Sequence, residues 1–505
     1  MTKLPASLLN FALALIGAML LVLTFPNIVF VNSGVPLLAP IALTPLLIAL
    51  AREPRPLWRF LLGEFAGIVY WFGVCYWIQF VLEVHGGMGR WGGWATFLLF
   101  CVAKAIHLGV FSLLAAVLVR TPFAIPAIAA LWTGIERTHG TFGFAWLALG
   151  NAGIDMPLPA RLAPFLGVYG ISFVFALTAA TVALLIFSRD RRQLFWLAVI
   201  PLCLLLPDLP APSAPTESAL VIQPNMPEEA QWTQTSAGSA RDYFVKLSLD
   251  AAQRMHPRII VWPEVPGPIY YYRDPTFHQE AAALAQSANA YFLFGTVAET
   301  PQGSPLNSAV LLRPDGDLVD RYDKINLVPF GEYVPKFFGF VNRITQEAGD
   351  FAPGNRLVVF PAADGHKLGV FICYESVFPA QVREFVKGGA NLLLNLSNDG
   401  YFGESAAREQ HLEIARMRAL ENHRWLLRST NDGITAAIDP AGRVTQRLPM
   451  YQETVAKMAY SYETTVTAYS THGDWFAWAS LLASAIALLA SQRPHYTGDR
   501  RNVSA

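Results

Sequence analysis

Charge is scarce in this chain. Only 15% of its 505 residues are charged, where a soluble protein carries about a quarter. The 37 basic and 37 acidic side chains cancel, so no basic surface argues for a nucleic-acid partner. Cysteine is scarcer still, with four in all, at Cys75, Cys101, Cys203 and Cys373. There is no CxxC pair, no HExxH and no phosphate-binding glycine loop, so neither a metal nor a cofactor is implied. No internal repeat is visible, which excludes a solenoid.

What the chain has instead is apolar sequence, 53% of its residues, unevenly spread. Eight apolar stretches are candidates to cross a bilayer, at 7–25, 35–51, 60–82, 91–119, 123–136, 162–187, 194–206 and 475–490. The fifth and seventh are short of the roughly 20 residues that a helical span needs. The first is not read as a cleaved signal, since Pro26 follows it with no small-x-small site. Between the seventh and eighth, charges and turn residues return at ordinary frequency. The expected organisation is a membrane part at 1–206, a Pro-rich linker at 207–216, a globular α/β domain at 217–470 and a final span with its tail at 471–505.

Basic residues set the expected orientation. With eight alternating spans, one side collects Lys3, Arg52, Arg55, Arg59, Arg120, Arg189, Arg191, Arg192, Arg493, Arg500 and Arg501. The other collects only Arg90, Arg137 and Arg161. Both termini are therefore expected in the cytoplasm, and the domain on the outer face, the periplasm of a bacterium. Lys104 and His107 lie inside the fourth stretch; the lysine is expected to snorkel or pair, and neither is placed in a site.

The globular stretch alternates apolar strands with amphipathic helices, the pattern of a layered α/β fold. Strands are expected at 219–222, 258–262, 291–296, 308–312, 318–322, 368–372, 391–396, 425–429 and 435–438. Helices are expected at 241–255, 277–288, 379–387 and 406–423. Pro314-Asp315-Gly316 marks a hairpin. Three strands run into chemistry: 258–262 into Glu264, 318–322 into Lys324 and 368–372 into Cys373. Strand ends are where layered α/β folds place ligands.

An acid, an amine and a thiol suffice for covalent acyl transfer. The acid takes the thiol proton, the thiolate attacks a carbonyl, and the ammonium, with a backbone N–H after the cysteine, stabilises the oxyanion. Cys75, Cys101 and Cys203 lie in apolar stretches and read as inert, buried thiols. Cys373 has no partner within its domain, so it is either buried or kept for chemistry. Taken singly, each residue also has a plain structural reading: a core thiol, a solvated lysine, an acid at a helix start.

The surroundings are more specific. V-W-P-E-V-P (261–266), Y-D-K-I-N-L-V-P-F-G-E-Y-V-P (322–335), F-I-C-Y-E-S (371–376) and N-L-S-N-D-G-Y-F-G (395–403) resemble the nitrilase, or carbon–nitrogen hydrolase, superfamily. With apolar stretches on both sides, the whole chain is similar to the bacterial apolipoprotein N-acyltransferase family. That resemblance implies an αββα sandwich on an eight-helix base in the inner membrane. It implies an acyl donor phospholipid, phosphatidylethanolamine, and a diacylglyceryl-cysteine lipoprotein as acceptor, joined through a thioester. It implies a monomer that needs no cofactor. Glu264, Lys324 and Cys373 match the family's triad as base, oxyanion stabiliser and nucleophile. Glu332 matches an assisting glutamate, Tyr374 and Glu375 the C-Y-E motif, and Asn307 a pocket asparagine. Trp232 and Trp146 resemble two tryptophans near the site, on an arm and on a membrane-side loop. Four residues depart from the pattern: Asn326 where histidine is common, Tyr401 for tryptophan, Gln231 for lysine and Ala145 for proline.

Two other functions compete. A membrane-tethered amidase would use the same triad with water as acceptor. A transporter with an outer binding domain would need charged or broken helices at the membrane midplane, of which only the fourth stretch gives a hint.

Overall fold

The computed structural model describes residues 6–141, 144–188, 190–212, 214–227, 232–329, 331–333 and 351–492. Lys3, Arg189, Arg493, Arg500 and Arg501 of the charge pattern, Gln231, and Phe330, Val334 and Pro335 of the second motif lie outside them.

Among the described residues, four helices are long and apolar enough to cross a membrane: Ala6–Thr24, Pro56–Val74, Gly89–Leu118 and Val168–Ser188. Two shorter apolar ones cover Pro36–Arg52 and Trp475–Ser491, and Ala124–Arg137 adds 14 residues. The expected stretches are not all continuous helices. The one at 60–82 stops at Val74 and restarts at Trp77–Phe80. The one at 162–187 breaks at Gly167, whose φ of +66° and tight approach to Tyr469 leave no room for a Cβ. The one at 194–206 is mostly tight 3-10 turns, Arg191–Ala198 and Cys203–Leu205, around the single α-turn Val199–Leu202. Small residues let helices Pro56–Val74 and Gly89–Leu118 pack closely: a Cβ on Gly63 would meet Ser112, and one on Gly67 would meet Ala105. Lys104 does not snorkel. It is buried, with its ammonium over the Trp71 ring, 5.2 Å from the centroid.

Among the described residues, twelve strands form two six-stranded sheets. They are β1 (Glu217–Gln223), β2 (Ile259–Val261), β3 (Tyr291–Glu299), β4 (Pro305–Leu312), β5 (Leu318–Asp323) and β6 (Val359–Pro361), followed by β7 (Lys367–Ile372), β8 (Leu392–Ser397), β9 (Leu426–Thr430), β10 (Ala436–Ile438), β11 (Val444–Arg447) and β12 (Thr454–Tyr460). The first sheet has the order β12-β1-β2-β3-β4-β5 and the second β11-β10-β9-β8-β7-β6. In each, the central strands run parallel and the edges antiparallel.

The inner faces share one core, in which Val221, Val261 and Leu293 cluster with Val370, Leu394 and Leu427. Helices Gln234–Met255 and Pro275–Ala288 cover the outer face of the first sheet through Phe244, Ala251, Phe277 and Leu284. Helices Pro379–Lys387 and Ala407–Asn422 pack on the second through Val382, Phe385, Leu412 and Ala415. The result is a nitrilase-like αββα sandwich. Strands β6, β11 and β12 do not stand out in the sequence, because each lies at a sheet edge and carries little apolar alternation.

The sandwich is welded to the helical base. The Glu421 carboxylate accepts the Val168 N–H at 2.9 Å and so caps a membrane-length helix. Gln410 donates to the carbonyls of Pro26 and Val74, at 2.6 and 2.9 Å.

Candidate active site

Parallel β2 and β7 and antiparallel β5 end where Glu264, Lys324 and Cys373 begin. All three side chains are buried, at 7%, 1% and 6% exposure, so neither the solvated lysine nor the surface acid is what folds. The Lys324 ammonium lies 3.1 Å from Glu264 Oε1 and 2.8 Å from Glu332 Oε1. Asn307, on β4, donates from Nδ2 to both of those oxygens at 2.7 Å. The other oxygen of Glu264 accepts the backbone N–H of Asn398 at 2.8 Å, just past β8. The other oxygen of Glu332 accepts the Val328 N–H at 2.8 Å.

Two acids and one cation set the electrostatics. Burial raises the Glu264 carboxyl above its ordinary range and the Glu332 charge adds to this, while Lys324 opposes both. Burial works against the Lys324 ammonium, but the two carboxylates outweigh it and hold its pKa well above the usual lysine value. Burial and the Glu264 charge push the Cys373 thiol up, with Lys324 opposing. At rest the thiol is therefore protonated, and it needs a base at the moment of attack.

The Cys373 backbone is left-handed, with φ of +48°, a conformation costing a non-glycine residue about 1–3 kcal/mol. Local bonds hold it. Cys373 opens a tight turn, Cys373–Val377, at the end of β7. Glu375 does not touch the three reactive groups. Its Oε2 accepts the Ile372 N–H at 2.8 Å, and its Oε1 accepts the Ile325 N–H at 2.7 Å and the Tyr322 hydroxyl at 2.7 Å. It therefore staples the cysteine turn to the lysine loop, from full burial. Asn326, where histidine is common in the resemblance, joins the same staple through Gln381 at 2.6 Å.

Tyr374 reaches the other way, to Ala145 in the base. Trp146 is not a surface anchor. It is 6% exposed, its ring lies nearly parallel to that of Tyr374, and its N–H donates to Gln410 at 2.7 Å. Trp232 packs half-buried near Met226 and Gly267, three residues past Glu264. Tyr401 is 42% exposed and its ring contacts His85. Cys75, Cys101 and Cys203 are buried and free, as expected.

A cavity of about 370 Å³ lies against this site, lined by Ile325, Leu327, Tyr333, Tyr374 and Phe378, with Gly140 of the base at its edge. No cluster suited to a metal ion occurs among the described residues.

Comparison with known proteins decides the kinship. Residues 222–468 match the carbon-nitrogen hydrolase family, and residues 17–181 match the apolipoprotein N-acyltransferase N-terminal domain. The apolipoprotein N-acyltransferase of Geobacter metallireducens is 32% identical over 96% of both chains. This chain belongs to the apolipoprotein N-acyltransferase family.

Other members of the family are similar over less of their length. That of Pseudomonas syringae pv. tomato is 34% identical over 75% of this chain and 78% of its own. That of Ralstonia nicotianae is 32% identical over 80% of each. Among solved structures, an amidase from Nesterenkonia sp. is similar at 16% identity, covering 50% of this chain and 93% of that one, with a TM-score of 0.38. A nitrilase-superfamily protein of Saccharomyces cerevisiae gives 17%, 50%, 93% and 0.38 for the same measures. By its kinship with the curated apolipoprotein N-acyltransferases, and not by the solved structures, the chain is an acyltransferase.

Some members of the site carry no sequence signal of their own. Asn398 acts through its backbone, and Gln381, Gln410 and His411 lie on helices whose periodicity says only which face is buried.

Proposed function

We propose that this chain transfers an acyl chain from a phospholipid, through a thioester on Cys373, to the N-terminal amine of a diacylglyceryl-cysteine lipoprotein. The observation that carries the mechanism is the buried pair of Glu264 and Lys324, whose charges the Cys373 thiol feels, with Glu332 holding the ammonium from its other side.

In the first half-reaction Glu264 takes the thiol proton as sulfur attacks the ester carbonyl. The Lys324 ammonium balances the oxyanion, aided by the backbone N–H of Tyr374. The C–O bond breaks, Glu264 returns the proton to the leaving oxygen, and a lysophospholipid departs. In the second, the amine attacks the thioester, Glu264 accepts a proton from it, and the thiol leaves protonated with an amide formed. Glu332 and Asn307 hold Lys324 and Glu264 in place throughout. The apolar cavity beside Tyr374 suits the acyl chain. Phosphatidylethanolamine as donor follows from the family resemblance.

We read the chain as a monomer with eight spans and both termini in the cytoplasm. The sandwich, residues 217–470, then lies on the periplasmic face of a bacterial inner membrane. The asymmetric basic residues support that orientation, and the apolar helices support the membrane base.

The test uses the detergent-purified full chain with phosphatidylethanolamine alone. Mass spectrometry should find one acyl group on the peptide carrying Cys373, and a peptide acceptor with a diacylglyceryl cysteine should then discharge it as an amide. Undiminished acyl transfer by Cys373→Ala would refute the mechanism. Release of free fatty acid with the acceptor amine left unmodified would favour the hydrolase reading instead.

A further inference from the structure

Beneath the cysteine turn lies a buried group that the proposed reaction does not use. His411, on helix Ala407–Asn422, points one ring nitrogen at the turn: Nε2 is 3.1 Å from the Cys373 carbonyl oxygen and 2.9 Å from Ser376 Oγ. The other, Nδ1, is 3.1 Å from Asp399 Oδ1 and 3.0 Å from Arg428 Nη2. Arg428 Nη2 in turn contacts both Asp399 oxygens, at 2.8 and 2.7 Å.

Ser376, His411 and Asp399 therefore stand in the spacing of an acyl-transfer triad. Burial argues against a second active site, since all three are at 0% exposure and no substrate reaches the hydroxyl. Arg428 also neutralises the carboxylate that would otherwise favour a charged imidazole.

The partners bear on the tautomer. Burial and the Arg428 charge both push His411 below its ordinary range, so the ring is neutral and has one N–H. The Cys373 carbonyl has no hydrogen to give, and Arg428 can only donate. An N–H on Nε2, aimed at the turn, meets the Cys373 carbonyl and leaves Nδ1 to accept from Arg428. Asp399 is satisfied without the ring, by Arg428 and by the Ser397 hydroxyl at 2.9 Å.

We infer that His411 is a positioning residue: its Nε2–H holds the carbonyl of the left-handed Cys373, and so aims the thiol at Glu264 and Lys324. The neighbouring Gln410 gives the bond its fixed frame. Gln410 accepts the N–H groups of Trp146 and Trp77 at 2.7 and 3.3 Å, and its own amide binds two carbonyls of the base. The helix bearing His411 is thus pinned to the helical base, and the direction of the nucleophile is set from there.

This inference rests on Cys373 being the nucleophile. The experiment measures single-turnover acylation of Cys373 by phosphatidylethanolamine in full-length, monodisperse protein, with Cys373→Ala as a separate arm. His411→Leu removes the donor, and His411→Gln restores one near the Nε2 position. Misplacing a reacting group by an ångström costs about 100-fold, so H411L should acylate about 100-fold more slowly with the lipid KM within about threefold. H411Q should recover at least about tenfold of that. Ser376→Ala, which leaves the Nε2–H to the carbonyl alone, should stay within about threefold of wild type. Wild-type acylation by folded H411L, or H411Q no faster than H411L, overturns the positioning role. Abolished acylation in folded S376A overturns it in favour of a reacting serine. Should H411L not fold, H411Q and S376A decide: H411Q within about tenfold of wild type supports the role, and folded but inactive H411Q overturns it. A failed Cys373→Ala arm would instead remove the thioester mechanism itself.

Discussion

The Tyr374 hydroxyl and the backbone of Ala145 are joined twice: the hydroxyl accepts the Ala145 N–H at 3.0 Å and donates to the Ala145 carbonyl at 3.1 Å. The residue after the cysteine is thus tied to a loop of the helical base. A proline at 145, usual in the resemblance, could not donate the first of these bonds. Tyr374→Phe keeps the ring stacked on Phe144 but loses both bonds, each worth about 1 kcal/mol net. The expected result is a slower single-turnover acylation, by about tenfold, and a melting temperature lower by a few degrees. Ala145→Pro should give a smaller loss of the same kind, read in the same assay.

Glu332 is one of the causes that raise the Glu264 pKa, after burial. A base whose pKa is raised loses activity as pH falls through that raised value. The acid limb of kcat/KM should therefore lie above 4.5, the ordinary carboxyl value. Glu332→Gln removes one negative charge, so its limb should shift to lower pH while its plateau drops. A pH–rate profile of both proteins checks this, and an unshifted limb would contradict the arrangement.

Lys324 is a buried cation between the buried Glu264 and the partly buried Glu332. Lys324→Met leaves Glu264 buried without its cation and facing Glu332, and breaking such a group costs about 3–5 kcal/mol. Activity should vanish and the chemical-denaturation midpoint should fall. Lys324→Met with Glu332→Gln should recover part of the stability and none of the activity, which separates the two roles of the ammonium.

Burial raises the Glu421 carboxyl to about 7, against its Arg418 partner, where it caps the helix that starts at Val168. The folded protein then keeps a proton there that the unfolded chain releases above about 4.5. Stability falls as pH rises from about 5 to 7, by an amount on the order of a few kcal/mol. Glu421→Gln lacks this titration, so wild type should lose stability relative to the variant across that window. Thermal melts at closely spaced pH values test the sign.

The legible parts of the fold share a physical cause. Buried central strands such as β2, β7 and β8 are short apolar runs ending abruptly in polar residues, so both the strand and the chemistry after it show in one dimension. The edge strands β6, β11 and β12 do not, because half-exposed residues leave no such contrast. Apolar runs likewise hide their interruptions: the runs at 60–82 and 162–187 read as continuous by hydropathy, yet the first breaks near Cys75 and the second at Gly167, where only glycine takes the left-handed backbone against Tyr469 with ease.

The sequence by itself determined the chemistry available: one cysteine outside the apolar stretches, an acid and a lysine, each at the end of an apolar strand and set in family motifs. Only the tertiary structure decided how that chemistry is held. It packs two sheets so that Asn307 and Glu332 enclose Lys324 and Glu264, closes Glu375 over the lysine loop, and aims His411 at the cysteine carbonyl. These contacts join residues far apart in the chain, and hydrogen-bond geometry between distant segments exists only once burial has brought them together.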